Sequence, residues 1–303
     1  MHPKETHMSL FNGLSAFPIT PSDEAGQVDI DGVSRLIARL EAANVASIGL
    51  LGSTGTYAYL SRPERLRAVK AAAATINGTP LIVGVGTLRT SDAVALAEDA
   101  QMGGATALLL APVSYTPLTQ DEVFEHFRTV ATATDLPICI YNNPGTTHFT
   151  FGLPLLQQLA DLPNIAAVKM PLPTNMSISE ELAQLRANLP TDFAIGYSGD
   201  WGCAEALSAG ANTWYCVLGG ILPKVAQDLT IAAQSGDEDE AQNQDAALQP
   251  LWTLFKEFGS LRVVYTIAKH LGLTDAVPPR PILPLGQDAE KRIIEALNDG
   301  NLV

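Results

Sequence analysis

The sequence predicts a (β/α)8 TIM barrel of the α/β class, carrying a helical appendage at its C-terminal end. Eight short apolar runs alternate with helical patterns from Gly13 to about Gln234, which is the strand and helix count of that barrel. Most of the runs are continuously apolar, as strands covered on both faces are; half-wet antiparallel strands would alternate. The first run leads into Pro18-Ile19-Thr20-Pro21. A doubly wound nucleotide-binding sheet, the competing architecture, prefers a glycine fingerprint at that point.

The strands are expected at Gly13–Phe17, Ala46–Gly52, Leu81–Gly86, Ala107–Pro112, Pro137–Asn142, Ile165–Met170, Phe193–Ser198 and Thr213–Val217. Helical periodicity covers Asp31–Ala43, Ser91–Gly103, Leu153–Ala160, Glu180–Asn188, Trp201–Ala209 and Lys224–Gln234. Ser61-Arg62-Pro63-Glu64 reads as a capping box that opens a helix to about Asn77. Thr119-Gln120-Asp121-Glu122 reads as a second, opening a helix to about Thr134. Gly78 and Gly210 stand where helices should stop.

The pattern changes after Gly236. Gly236-Asp237-Glu238-Asp239-Glu240 is an acidic helix start, suited to the helix dipole. Helices are expected near Ala241–Phe258, Leu261–Leu271 and Asp288–Leu297, with Pro278-Pro279-Arg280-Pro281 as a rigid connection. The chain therefore divides into an N-terminal extension (1–12), a barrel carrying the site (13–236) and a helical extension packed on it (237–303).

Composition narrows the functional classes. Of 303 residues, 47% are hydrophobic and 17% charged, which argues against disorder. The net charge of −14 repels nucleic acid and anionic membranes, and no apolar run approaches the ~20 residues that span a bilayer. The first residues lack a basic patch followed by an apolar stretch, so a cytoplasmic location is expected. Cys139, Cys203 and Cys216 form no CxxC, and the five histidines show no HxxxH spacing. Neither a disulfide framework nor a metal site is expected.

Of seven lysines, Lys169 alone lies in a strand, Ile165-Ala166-Ala167-Val168-Lys169-Met170. Low dielectric disfavours the ammonium and favours the nucleophilic amine. The C-terminal end of a barrel strand is also where barrel enzymes place catalytic groups. The bland alternative is a strand-end lysine that reaches solvent or joins an ion pair. Gly52-Ser53-Thr54-Gly55 follows the second strand; its backbone N–H groups and short hydroxyls suit a small carboxylate. An ordinary βα loop is the bland reading. Tyr141-Asn142-Asn143-Pro144-Gly145 ends the fifth strand and points a phenol toward the barrel mouth, where it can move protons. A satisfied core tyrosine is the alternative.

In order, Phe17-Pro18-Ile19-Thr20-Pro21, Gly52-Ser53-Thr54-Gly55, Tyr141-Asn142-Asn143-Pro144, Val168-Lys169 and Ser198-Gly199-Asp200 resemble the dihydrodipicolinate synthase / N-acetylneuraminate lyase family, from about Gly13 to the end. The resemblance implies a Schiff-base lysine at Lys169 and a proton-relay tyrosine at Tyr141. Ser53 stands where the family commonly has a relay threonine. It further implies Gly52 and Thr54 at the carboxylate of a 2-oxo acid such as pyruvate, and Gly199 and Tyr215 lining that pocket. The implied partners are the 2-oxo acid and an aldehyde, with no cofactor, in a homotetramer built as a dimer of dimers.

The departures fall on the second-substrate side. Thr56 replaces a glutamate, and Val113-Ser114 replace a tyrosine pair of which one member serves the neighbouring subunit. Tyr115, one place later, is a candidate substitute. Thr146 replaces an arginine that binds the second substrate's carboxylate, and Met170-Pro171 replace a Glu-Ala pair. The expectation is a Schiff-base lyase or aldolase with an altered second-substrate site. The alternatives are a genuine 4-hydroxy-tetrahydrodipicolinate synthase and a non-catalytic 2-oxo acid binder. His148 is an isolated loop histidine, more often a bystander than a proton donor. Val217-Leu218-Gly219-Gly220 offers a glycine turn for a different lysine chemistry, that of a phosphate-anchored pyridoxal barrel.

Overall fold

A computed structural model of the chain describes residues 10–303. The eight expected strands all form: β1 (Gly13–Ala16), β2 (Ser47–Leu50), β3 (Leu81–Gly84), β4 (Ala107–Leu110), β5 (Ile138–Tyr141), β6 (Ile165–Met170), β7 (Ala194–Tyr197) and β8 (Thr213–Cys216). They pair in parallel and in sequence order, and β8 closes on β1. Every strand residue is buried, which accounts for the continuous apolar runs. Most strands are shorter than expected by one or two residues at their ends. There the apolar run continues into the mouth loops without ladder hydrogen bonds.

The helices between strands are α1 (Ile30–Ala42), α2 (Arg62–Thr75), α3 (Thr90–Gly103), α4 (Gln120–Ala131), α5 (Leu153–Ala160), α6 (Ile178–Asn188), α7 (Cys203–Ser208) and α8 (Pro223–Ser235). The Thr119–Glu122 capping box is formed in both directions, and a second, unanticipated one joins Ser177 to Glu180 ahead of α6. The Ser61–Glu64 box is not formed. Glu64 instead accepts from the Val28 backbone N–H at 2.7 Å and pairs with Arg67, leaving Ser61 without a side-chain cap. A long-range partner has outcompeted the local one. The stretch expected as one helix from Trp201 begins as a 3-10 turn, Asp200–Gly202, before α7. Gly78 and Gly210 take the left-handed backbone, φ +108° and +99°, that suits a stop after a helix.

Three C-terminal helices follow: α9 (Glu238–Phe258), α10 (Ser260–His270) and α11 (Gln287–Asp299). The α9 helix packs on α8, and the three pack on one another. Residues 1–9 of the expected N-terminal extension lie outside the described residues; within them, Phe11 is fully buried beneath the barrel.

Two apolar clusters organise the core. The larger fills the layer between strands and helices, with Leu108, Leu110, Ile140, Val168, Ile195 and Trp214 facing outward from the sheet. The smaller occupies the barrel interior, where Phe11, Phe17 and Tyr215 meet small residues such as Ala107, Ala167 and Ala194. All three cysteines are buried and free. No helix among the described residues is long and apolar enough to cross a membrane, and no group of three His, Cys, Asp or Glu side chains among them is placed to hold a metal ion.

Candidate active site

Register brings the site together. Tyr141 on β5 pairs with Lys169 on β6, and Lys169 pairs with Gly196 on β7. All three stand at the C-terminal mouth of the barrel, and the Tyr141 and Lys169 side chains share its inner face. Gly196 adds nothing beside the lysine, because a Cβ there would come within 2.7 Å of the Tyr215 ring. Its missing side chain makes room for that aromatic.

Lys169 is 4% exposed. Its Nζ lies 4.0 Å from the centre of the Phe17 ring, 4.3 Å from that of Tyr141 and 5.6 Å from that of Tyr215. Among the described residues no carboxylate lies within ion-pairing distance of it. A strand-end lysine in an ion pair, the bland reading, is therefore not what the fold contains. The amine sits in an aromatic cage.

The relay candidates lie beside it. The Tyr141 hydroxyl is 3.2 Å from Ser53 Oγ and accepts a hydrogen bond of 2.9 Å from Asn143 Nδ2. Gly52, Ser53 and Thr54 belong to a turn bracketed by two left-handed non-glycine residues, Leu51 (φ +57°) and Thr56 (φ +53°). Such conformations are costly for side-chain-bearing residues and cluster at functional sites. Thr54 is buried, while Ser53 is only half-buried and faces the mouth.

Gly199, in the loop after β7, has φ +94° and packs against Leu172 of the loop after β6. Tyr215 contributes a wall. Its hydroxyl points into the barrel toward Cys139 Sγ, 3.2 Å away, and burial together with that thiol holds the phenol well above its usual range. The Cys139 thiol is itself pushed up to about 12 by burial, so the pair is neutral packing.

Other expected residues are not gathered. Tyr115 is 96% exposed and stands outside the site of its own chain. Thr146 is exposed on a single helical turn, Pro144–Thr147, with its hydroxyl directed at the Asn143 carbonyl. His148 follows it, exposed, with φ +55°. The Val217–Gly220 turn is already used. The Val217 and Leu218 N–H groups donate to Asp200, whose buried carboxylate also accepts from Trp214 Nε1 at 3.0 Å. Desolvation raises the Asp200 carboxyl against those bonds. A negative group on those amides, with Gly220 pressed on the Phe17 carbonyl, is the wrong lining for a phosphate.

Three residues without an assigned role prove central. Phe17 forms the floor, lying across Gly49 and Gly52, where added Cβ atoms would come 2.2 and 2.7 Å from its ring. Two glycines in and beside a strand were the signal that another group approaches closely. Asn143 orients the Tyr141 phenol, and Asp200 ties the β7 loop to the β8 loop.

The comparisons with known proteins agree with this geometry. The model of the Dihydrodipicolinate synthetase family matches residues 10–299. The chain belongs to that family. Its members are lyases of the class I aldolase type, and the chain is an enzyme of that kind. A structure of dihydrodipicolinate synthase from Agrobacterium tumefaciens is 59% identical, covers 97% of this chain and 99% of that one, and superposes with a TM-score of 0.96. The 4-hydroxy-tetrahydrodipicolinate synthase of Streptococcus pneumoniae strain Hungary19A-6 is 32% identical over 292 residues, 95% of this chain and 91% of the relative. A chloride-inhibited dihydrodipicolinate synthase from Acinetobacter baumannii, solved with pyruvate, is 26% identical, covers 97% and 100%, and has a TM-score of 0.87. The expected fold and family are borne out.

Proposed function

We propose that this enzyme adds pyruvate or a related 2-oxo acid to an aldehyde, or removes it, through a Schiff base on Lys169, and that its second-substrate side differs from that of dihydrodipicolinate synthases. The reading is carried by one observation: a buried lysine amine that has no carboxylate partner among the described residues, caged by Phe17 and Tyr141 at the mouth of the barrel. That the Acinetobacter relative was solved with pyruvate supports the acid half.

Lys169 Nζ attacks C2 of the acid. The carbonyl oxygen leaves as water, taking two protons, and an iminium remains. The acid's carboxylate rests on the Gly52–Thr54 turn. Tyr141, with Ser53 at 3.2 Å, carries protons to and from the departing oxygen. Loss of a C3 proton converts the iminium to an enamine. Its C3 then attacks the aldehyde carbon, whose oxygen takes up a proton, and water releases the product from the lysine. The reverse sequence cleaves the same bond.

The second-substrate side rests on Thr146. An arginine there would offer charge-assisted bonds contributing ~1.5–3 kcal/mol each to an acidic aldehyde. A threonine offers a neutral hydroxyl, which suits a hydroxylated aldehyde or the cleavage of a hydroxy-2-oxo acid. A genuine 4-hydroxy-tetrahydrodipicolinate synthase using other contacts is the second reading, favoured by the names of the relatives. We also read residues 13–236 as the catalytic unit, 237–303 as its appendage, and the working form as a cytoplasmic homotetramer.

Borohydride reduction with pyruvate, followed by intact mass and peptide mapping, tests the proposal. It expects a pyruvate-sized adduct on Lys169. Ligand binding without an adduct would favour a non-catalytic binder. A panel of aldehydes then separates the two enzyme readings, and efficient condensation with aspartate semialdehyde would overturn the altered-specificity claim.

A further inference from the structure

Tyr57 brings to the barrel mouth a phenol that the chemistry above leaves unused. It opens a single 3-10 turn, Tyr57–Tyr59, directly after the left-handed Thr56. Its side chain reaches the ends of β3 and β4. A Cβ on Gly86 would stand 3.3 Å from the Tyr57 hydroxyl, 3.3 Å from the Ala111 carbonyl oxygen and 3.3 Å from Val113 Cγ2.

These neighbours put the hydroxyl inside the mouth. Successive side chains of a strand alternate between its faces. Ile82 and Ala111 belong to the cluster that fills the barrel interior together with Phe17 and Tyr141, and Val113 packs on that cluster. Gly86, an even number of residues beyond Ile82, continues the same inward face. The space left by its missing side chain is the space that the phenol enters. The hydroxyl stands apart from the Ser53–Tyr141–Asn143 hydrogen bonds, and no hydrogen bond engages it among the described residues.

A buried cation lies against the ring. Arg65 on α2 is 6% exposed, and its guanidinium carbon is 5.1 Å from the centre of the Tyr57 ring. It donates to the Gly84 and Gly86 carbonyls at 2.7 and 3.2 Å, which fixes it against the end of β3. No carboxylate pairs with it among the described residues. A nearby positive charge favours negative charge on the phenol oxygen. Burial pushes the Tyr57 phenol up to about 12, with Tyr141 adding to the rise and Arg65 opposing it, so at neutral pH the group is a protonated donor.

We propose that, on the Schiff-base reading above, Tyr57 is the catalytic acid of the second half-reaction and protonates the aldehyde oxygen as the new carbon–carbon bond forms. The enamine's electron pair makes the bond from C3 to the aldehyde carbon, and the carbonyl π pair moves onto oxygen. The Tyr57 O–H bond breaks and its proton passes to that oxygen. The phenolate, which Arg65 stabilises, regains a proton from water at the mouth, where Tyr57 is only half-buried. An alkoxide is a stronger base than a phenolate, so the transfer runs toward the product hydroxyl. Cleavage reverses these steps. Tyr141 and Ser53 keep the proton traffic of the first half.

Tyr57→Phe removes the hydroxyl and keeps the ring, so packing against Arg65 and Val113 survives. Pyruvate alone reads the first half, by borohydride trapping against pyruvate concentration and by exchange of its methyl protons in deuterated buffer. D-Glyceraldehyde and aspartate semialdehyde, one neutral and one charged, read the second half. Tyr57→Phe should lower kcat/KM for each aldehyde that wild type uses by about 10²-fold or more, the range of a positioned acid–base group. The factor should be the same for both where both are used, because the carbonyl is what they share. Pyruvate half-saturation, methyl exchange and melting temperature should stay at their wild-type values. A merely structural role would move these along with condensation.

Aldehyde constants unchanged in Tyr57→Phe, or a loss already present in the pyruvate readouts, would overturn the assignment. So would wild-type protein that forms the adduct but condenses with neither aldehyde, since no second half would then exist for Tyr57 to serve. Wild-type protein that yields no adduct at any pyruvate concentration would instead remove the Schiff-base reading.

Discussion

The Ser53 and Tyr141 hydroxyls lie 3.2 Å apart although 88 residues separate them. Ser53 sits in the turn after β2 and Tyr141 ends β5, so barrel closure alone makes the contact. Asn143, two residues beyond Tyr141, fixes the phenol from the other side. The pair therefore ties the turn after β2 to the end of β5, and the contact depends on both strands being in register.

Tyr141→Phe should slow formation of the reducible pyruvate adduct by about 10²–10³-fold, within the range expected for a positioned acid–base group. Quenched-flow borohydride trapping measures it. The amplitude at long times should approach that of wild type, since the lysine and the cage remain. An unchanged rate would remove Tyr141 from the relay.

Lys169→Met should abolish the adduct while leaving the fold as stable as wild type or more so. A thioether of similar length fills the cage between Phe17 and Tyr141 without a polar group to desolvate. Calorimetry beside intact-mass trapping checks both halves. A large loss of melting temperature would show that the amine has structural partners.

Thr146→Arg should raise kcat/KM for aspartate semialdehyde by about tenfold or more, the value of one charge-assisted bond. Thr146 is exposed at the mouth, so the longer side chain meets no packed neighbour. Steady-state assays of both proteins decide it, and equal constants would place second-substrate recognition elsewhere.

Acid should destabilise the protein through His126. It is 8% exposed, with Thr90 on Nδ1 at 2.9 Å and no partner for Nε2 among the described residues, and burial lowers its pKa below the ordinary 6.5. The unfolded chain takes up a proton near 6.5, and the folded chain only at a lower pH. Stability from this group is thus complete above 6.5 and is lost as pH falls through the lowered folded value. Melting temperatures at pH 7.5 and 5.5 should differ less in His126→Gln than in wild type.

Much of this was legible from residue order alone. Continuous apolar runs such as Ala107–Leu110, alternating with helical patterns, pointed to strands covered on both faces, and Lys169 stood out as the one lysine inside such a run. What was not legible depends on distance in sequence. Ser61 and Glu64 carry the spacing of a capping box, but Val28, far upstream, takes the carboxylate. Tyr115 is almost wholly exposed in the single chain, and nothing in its local sequence announces that. The partners of Asp200 lie on the next strand and its loop, and no local pattern announces them.

Phe17 lies across two glycines of the neighbouring chain segment, and this makes the position of its ring beneath Lys169 a property of main-chain geometry. Room for a bulkier tail on the proposed acid cannot be made by trimming Gly49 or Gly52, because neither has anything to trim. Enlarging either would drive the ring into the lysine. On the proposed chemistry, redesign toward longer 2-oxo acids therefore acts on the ring itself, and shortening it would open space and strip one wall from Lys169 in the same step.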